Sequence, residues 1–257
     1  MKWKINRRVL GLKVLRQRGR KGLSVVPHLF TVGNLTSGVL ALIFVLHGQP
    51  VSAAWMIILA VVFDGFDGRI ARLLRAEGEF GRQMDSLADV VSFGVAPALM
   101  MYQLDLHRWG TYGLAVTALF AVSGALRLAR FNILRVSGHF TGLPITAGGG
   151  LMAALVLYGE GLHTLALPIL MLLVSYLMIS TLPYPDFKKL NRSHPRLTPY
   201  LLPLLAVVLL VRADPRSLIA LPMVLYTLSG PYLLLLYGWD RSVTPWLRSL
   251  NPRLREH

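Results

Sequence analysis

The sequence predicts an all-α fold, a polytopic membrane bundle of about eight spanning helices with both termini on the cytoplasmic side. Three observations predict it. The chain is 54% hydrophobic and only 15% charged over 257 residues, with a mean hydropathy of +0.54, which is too apolar for a water-soluble domain of that length. Apolar segments recur at the length a bilayer requires, about 17–25 helical residues each. The basic residues are sorted by side. Of 27 Lys and Arg, 24 fall on the N-terminal side of the predicted spans and 3 on the other, the bias that leaves positive loops in the cytoplasm.

Taken in order, residues 1–26 read as a basic arm at the lipid surface. Its first 21 residues carry nine Lys and Arg, and Trp3, Val9, Leu10, Leu12, Val14 and Leu15 interleave with them without a helical stripe. A cleaved secretory signal would need a small-residue processing site. The next segment instead runs on into further spans, so the arm is expected to be retained. Residues 27–238 form one membrane domain. Its spans are Leu29–Leu46, Ala53–Leu74, Ser86–Leu104, Tyr112–Ala129, Leu143–Gly159, Thr164–Thr181, Thr198–Val211 and Ser217–Tyr237, the seventh being short and bordered by Pro199 and Pro203. Residues 239–257 are a basic tail carrying Arg241, Arg248, Arg253 and Arg255.

The same ordering explains the charge of +15. It reports contact with anionic headgroups rather than with nucleic acid. With no cysteine in the chain, disulfides and thiolate metal sites are excluded. The histidines are scattered and show no ligand spacing.

Against this background, four of the eight aspartates lie within 26 residues: Asp64, Asp67, Asp85 and Asp89. Carboxylates at membrane depth are costly and are kept where they pair or bind cations. On a helix, Asp64, Asp67, Gly68, Ala71 and Arg72 share a face of roughly 140°, while Gly81, Asp85 and Asp89 step by four along a second face. If residues 73–80 turn the chain, the two faces oppose each other. Four converging carboxylates repel unless neutralised. All-oxygen ligation suits a hard divalent cation, Mg2+ or Mn2+, and two ions would balance four charges. Gly68, Ala71 and Gly81 leave room for a bulky ligand, and Arg72 supplies countercharge for phosphate. Intramembrane ion pairs with Arg69, Arg72, Arg75 and Arg82 would account for single aspartates. They do not explain why acids and small residues share a face in both helices.

These residues reproduce D-x2-D-G-x2-A-R-x8-G-x3-D-x3-D at every fixed position, and through them the chain resembles the CDP-alcohol phosphotransferase family. The resemblance implies an integral membrane enzyme that moves a phosphatidyl or related group from a CDP-linked donor to an alcohol and releases CMP. Carried over by position, it implies Asp64, Asp67 and Asp85 as metal ligands and Asp89 as ligand or neighbour to the metals and as general base. It also implies that Gly68, Ala71, Arg72 and Gly81 line the CDP site. The chemistry is consistent: metals neutralise the transferring phosphate and a carboxylate takes the alcohol's proton.

The flanks resemble the serine-accepting branch of that family. The stretches concerned are Asp85–Pro97, Ala125–Asn132 and Phe140–Pro144. This implies CDP-diacylglycerol as donor, L-serine as acceptor and a homodimer. Thr31, Asn34 and Gly38 fit the branch's P-N-x-x-T-x-x-N-x-x-x-G element near the nucleotide, with His28 standing where Asn is usual. After Pro144 the run to Gly150 is richer in glycine than that branch, and it reads as close helix packing rather than a phosphate loop. Arg127, Arg130 and Asn132 read either as a clamp on the serine carboxylate or donor phosphates, or as positive-inside anchoring by snorkelling side chains. The resemblance favours the clamp. Two other functions remain as alternatives. One is the same chemistry with glycerol 3-phosphate or inositol phosphate, which would recruit Lys188, Lys189 and Arg192. The other is a cation-coupled transporter, for which inverted repeats are expected and none is evident in the sequence.

Overall fold

A computed structural model of the chain describes residues 25–74, 78–134, 140–158, 166–184 and 223–232. The described chain is helical apart from a two-residue antiparallel ladder. The order is α1 (Val25–Leu46), α2 (Pro50–Leu74) and α3 (Glu79–Asp89), then a π-helical turn (Val90–Val95) leading into α4 (Ala96–Leu104). A 3-10 turn (Leu106–Trp109) precedes α5 (Thr111–Leu134), followed by β1 (Phe140–Thr141), α6 (Ile145–Tyr158), α7 (Ala166–Ile179) and β2 (Pro183–Tyr184). A further helix, α8, is described over 223–232.

Among the described residues, four helical stretches are long and apolar enough to cross a membrane: His28–Leu46, Pro50–Ile70, Glu79–Leu104 and Thr111–Ile133. They correspond to the first four predicted spans. Of the fifth and sixth, the described parts are apolar helices of 14 residues each, and residues 159–165 between them lie outside the described residues. The seventh lies outside the described residues, and only 223–232 of the eighth is described. The third begins at Glu79 rather than Ser86. Hydropathy marks where a helix becomes apolar, not where its hydrogen bonds begin.

The α1–α2 hairpin is set by its turn. Gly48 adopts φ 71, and the amides of Gly48 and Gln49 bond back to the carbonyls of Val45 and Phe44 at 3.0 and 2.9 Å. A glycine in the left-handed region ends a helix in this way. Pro50 then restarts one at its first position, where the missing N–H costs nothing. Ala41, Ala53, Ala54 and Ala60 are fully buried, small residues that let α1 and α2 pack closely. Leu40, Ile43, Val62, Leu114, Leu119 and Leu173 remain exposed, as expected of a perimeter solvated by lipid.

The wide turn after Asp89 has an identifiable cause. Pro97 has no N–H and its ring would collide with the carbonyl of Phe93 in a regular helix. Instead the Ala96 amide reaches back to Val91, and the helix widens over Val90–Val95. Helix α6 uses the opening. A Cβ on Gly149 would lie 2.6 Å from the Phe93 carbonyl oxygen and 2.7 Å from its Cα. Gly149 therefore serves backbone approach, while Gly148 and Gly150 face the side chains of Met178 and Met223. Replacing Gly149 by Ala should gain about 1 kcal/mol of helix propensity and lose about 1–3 kcal/mol to overpacking against immovable backbone. We expect Gly149→Ala to lower the apparent melting temperature of the detergent-purified protein, so that overpacking outweighs propensity.

Candidate active site

The site forms where α2 and α3 each present carboxylates and α1 packs against both. Asp64 of α2 and Asp85 and Asp89 of α3 each offer one ligand oxygen, all within 4.8 Å of one another. At that separation each pair of charges repels by about 3 kcal/mol for an effective dielectric near 20. The donor set fits a hard divalent cation. It is all-oxygen and anionic, and Oδ1 of Asp85 is buried with no hydrogen-bond partner. Asp67 sits one turn further along α2, buried, and accepts a hydrogen bond from the Thr31 hydroxyl. Arg82, which the sequence offered as a partner for the aspartates, pairs with Glu79 instead.

Helix α1 supplies the next layer. Asn34 is fully buried, and its Nδ2 donates to Oδ1 of Asp89 at 3.0 Å. The Ser92 hydroxyl donates to the Asn34 carbonyl at 3.0 Å, locking α1 to the π-helical turn. Gly38 lies where a Cβ would come 2.9 Å from the Ser92 Cα. Of the three α1 residues that the resemblance assigned to the nucleotide, Thr31 and Asn34 thus contact carboxylates and Gly38 contacts the wide turn. Gly81 is covered by His28, whose Cε1 would lie 2.8 Å from a Cβ there, and the His28 ring meets Phe80 edge-on at 6.0 Å. Gly68 is half-buried beside Asp67. Ala71 and Arg72 belong to α2, but their side chains lie outside the described residues.

The basic pair of α5 is given two different sets of partners. Arg127 is 7% exposed, with its guanidinium carbon 5.5 Å from the centroid of the Phe131 ring and its Nε without a hydrogen-bond partner. It lies within electrostatic reach of Asp89, Tyr226 and Asp64. A side chain so buried is not snorkelling. Arg130 donates to the carbonyls of Ile179 and Ser180 at 2.7 and 3.0 Å, satisfying the C-terminal end of α7. Asn132 donates from Nδ2 to the Ser86 hydroxyl at 2.9 Å, tying α5 to the turn between Asp85 and Asp89.

Two neighbours of the site were not singled out by sequence. Thr146, in the first turn of α6, donates its hydroxyl to Oδ2 of Asp64 at 3.3 Å. Tyr226 of α8 lies against Tyr184, with ring centroids 5.7 Å apart, and faces Arg127 electrostatically. No local spacing links residue 146 to 64 or 226 to 127; only the tertiary fold does.

Residues 24–184 match the family model described as CDP-alcohol phosphatidyltransferase. Among curated proteins, a CDP-diacylglycerol–serine O-phosphatidyltransferase of Helicobacter pylori is 39% identical over 178 residues, covering 66% of this chain and 75% of the relative. The protein of the same name from Bacillus subtilis is 35% identical over 168 residues, 65% of this chain and 93% of the relative. An archaetidylserine synthase of Methanothermobacter thermautotrophicus is 38% identical over 164 residues, 62% of this chain and 69% of the relative.

Proposed function

This chain belongs to the CDP-alcohol phosphatidyltransferase family, and from that membership we propose that it transfers the phosphatidyl group of CDP-diacylglycerol to L-serine, giving phosphatidylserine and CMP. The observation that carries the reading is the convergence of Asp64, Asp85 and Asp89 within 4.8 Å on two apolar helices. The names of the relatives support the acceptor. Serine is common to all three, whereas the lipid differs between phosphatidyl and archaetidyl products.

Asp64, Asp67, Asp85 and Asp89 would hold two divalent cations, Mg2+ or Mn2+, which when bound neutralise the phosphate oxygens that gain charge during transfer. The protein's own groups do the rest. Asn34 fixes one oxygen of Asp89, and the carboxylate takes the proton from the serine hydroxyl. The freed oxygen attacks the phosphorus bearing the diacylglycerol, a new P–O bond forms, the pyrophosphate linkage breaks, and CMP departs. Arg127 receives the serine carboxylate. It lies within electrostatic reach of the base, so one small zwitterion can reach both, and its planar guanidinium can donate two parallel hydrogen bonds to a carboxylate. The nucleotide is expected along Gly68, Ala71, Arg72 and Gly81. Arg130 and Asn132 hold α7 and α3 in place around the acceptor. The Lys and Arg distribution orients this end of the bundle to the cytoplasm, where serine is dissolved, and the family resemblance implies a homodimer.

CMP release by the purified protein tests the reading, with CDP-diacylglycerol, Mg2+ or Mn2+, and serine, glycerol 3-phosphate or inositol phosphate in turn. Turnover with serine alone is expected. Turnover with a phosphorylated acceptor and none with serine would overturn the acceptor. No turnover with any of them would overturn phosphotransfer and favour cation-coupled transport.

A further inference from the structure

Three of the four aspartates accept a hydrogen bond from an uncharged side chain on another helix. Thr31 of α1 donates to Asp67, Asn34 of α1 donates to Asp89 at 3.0 Å, and Thr146 of α6 donates to Asp64 at 3.3 Å. Neutral donors orient a carboxylate without cancelling the charge that a cation needs. A Lys or Arg in their place would occupy the same oxygens and compete with the ion. We propose that Thr146 is a positioning residue of the divalent-cation site, holding the Asp64 carboxylate turned toward Asp85 and Asp89. The proposal rests on the reading of these aspartates as cation ligands.

The start of α6 is placed with unusual redundancy, which is what a positioning residue requires. The β1–β2 ladder pairs Phe140 with Tyr184 and Thr141 with Pro183. The amides of Gly142 and Leu143 bond to the carbonyls of Leu182 and Leu177, each at 2.9 Å. Gly142 takes φ 78, and a Cβ there would lie 2.6 Å from the Met178 carbonyl oxygen, so the chain can pass only as glycine. Ile145, the residue before Thr146, is fully buried, and its side chain fills the space left by Gly124 and Gly94. One turn on, Gly149 lies against Phe93 in the wide turn that follows Asp89. Gly149 and the Pro97-induced turn thereby acquire a common purpose. They bring α6 close enough for a short hydroxyl side chain to reach Asp64.

The experiment is equilibrium binding of Mn2+ to the purified full-length protein in nanodiscs, without CDP-diacylglycerol, read from the resonance of free Mn2+. Groups that orient metal ligands typically govern affinity by about 10- to 100-fold. Thr146→Val, which keeps shape and loses the hydroxyl, should raise the half-saturating Mn2+ concentration by about 10-fold or more, and Thr146→Ser should bind as the parent does. Thr146→Ala repeats the loss of the hydroxyl should the valine variant not fold. Parent-like binding by the valine or alanine variant would overturn the proposal. So would a serine variant as weak as valine, because packing and not the hydroxyl would then matter. A parent protein that binds Mn2+ but releases no CMP with serine would count against the acceptor reading and leave this comparison intact.

Discussion

Asp89→Asn is expected to abolish turnover while the bundle stays folded. A general base contributes typically 10²–10⁴-fold, and the amide also removes one anion from the group of three carboxylates within 4.8 Å. The combined loss in kcat should be about 10³-fold or more. The fold should survive because the amide keeps its carbonyl oxygen as acceptor for the Asn34 donor. Removing one of three mutually repelling charges relieves the cation-free protein by about 3 kcal/mol for each neighbour lost, at an effective dielectric near 20. CMP release at saturating donor and serine, together with the melting temperature without cation, separates the two effects. A variant that turned over within about tenfold of the parent would place the base elsewhere. One that failed to fold without cation would show that Asp89 is needed for packing as well.

The four-aspartate frame was legible because it is local. Asp64 and Asp67 lie one turn apart on one helix, and Asp85 and Asp89 one turn apart on the next, so a pattern in sequence maps directly onto two faces. The first four spans were legible for the same reason, since each is a continuous apolar run. What could not be read depends on contacts between distant segments. Thr31 and Asn34 were attached to the nucleotide by resemblance, and only the packing of α1 against α2 and α3 shows them bonded to Asp67 and Asp89. Arg127 and Arg130 are three apart and look equivalent in sequence. The rotation of α5 buries the first beside Asp89 and gives the second to the end of α7. The wide turn after Asp89 was also hidden, because Pro97 reveals itself as a π-turn only once the helix is seen to continue through it.

Arg127→Met should raise the serine requirement sharply and lower the melting temperature of the cation-free protein. The Arg127 side chain is buried, and its Nε has no hydrogen-bond partner. Removing one partner of a buried charge pair leaves the other uncompensated and costs about 3–5 kcal/mol, here the carboxylates of Asp89 and Asp64, so the melting temperature without cation should fall. The functional loss is read separately, from the kinetics of the folded variant. Truncating one side of a buried charge pair costs about 2–5 kcal/mol, which corresponds to a fall in kcat/KM for serine of roughly 30-fold to several thousand-fold. The loss should appear in the KM for serine, with the KM for CDP-diacylglycerol little changed. Arg127→Lys should fall between the two, because an ammonium keeps the charge but lacks the planar fork and stacks less well on Phe131. Ethanolamine, which is serine without the carboxylate, makes the assignment sharper. The parent should discriminate strongly against it, and Arg127→Met should lose most of that discrimination by accepting serine poorly rather than ethanolamine well. A rise confined to the KM for CDP-diacylglycerol would instead assign Arg127 to the donor phosphates, leaving the acceptor carboxylate to another cation.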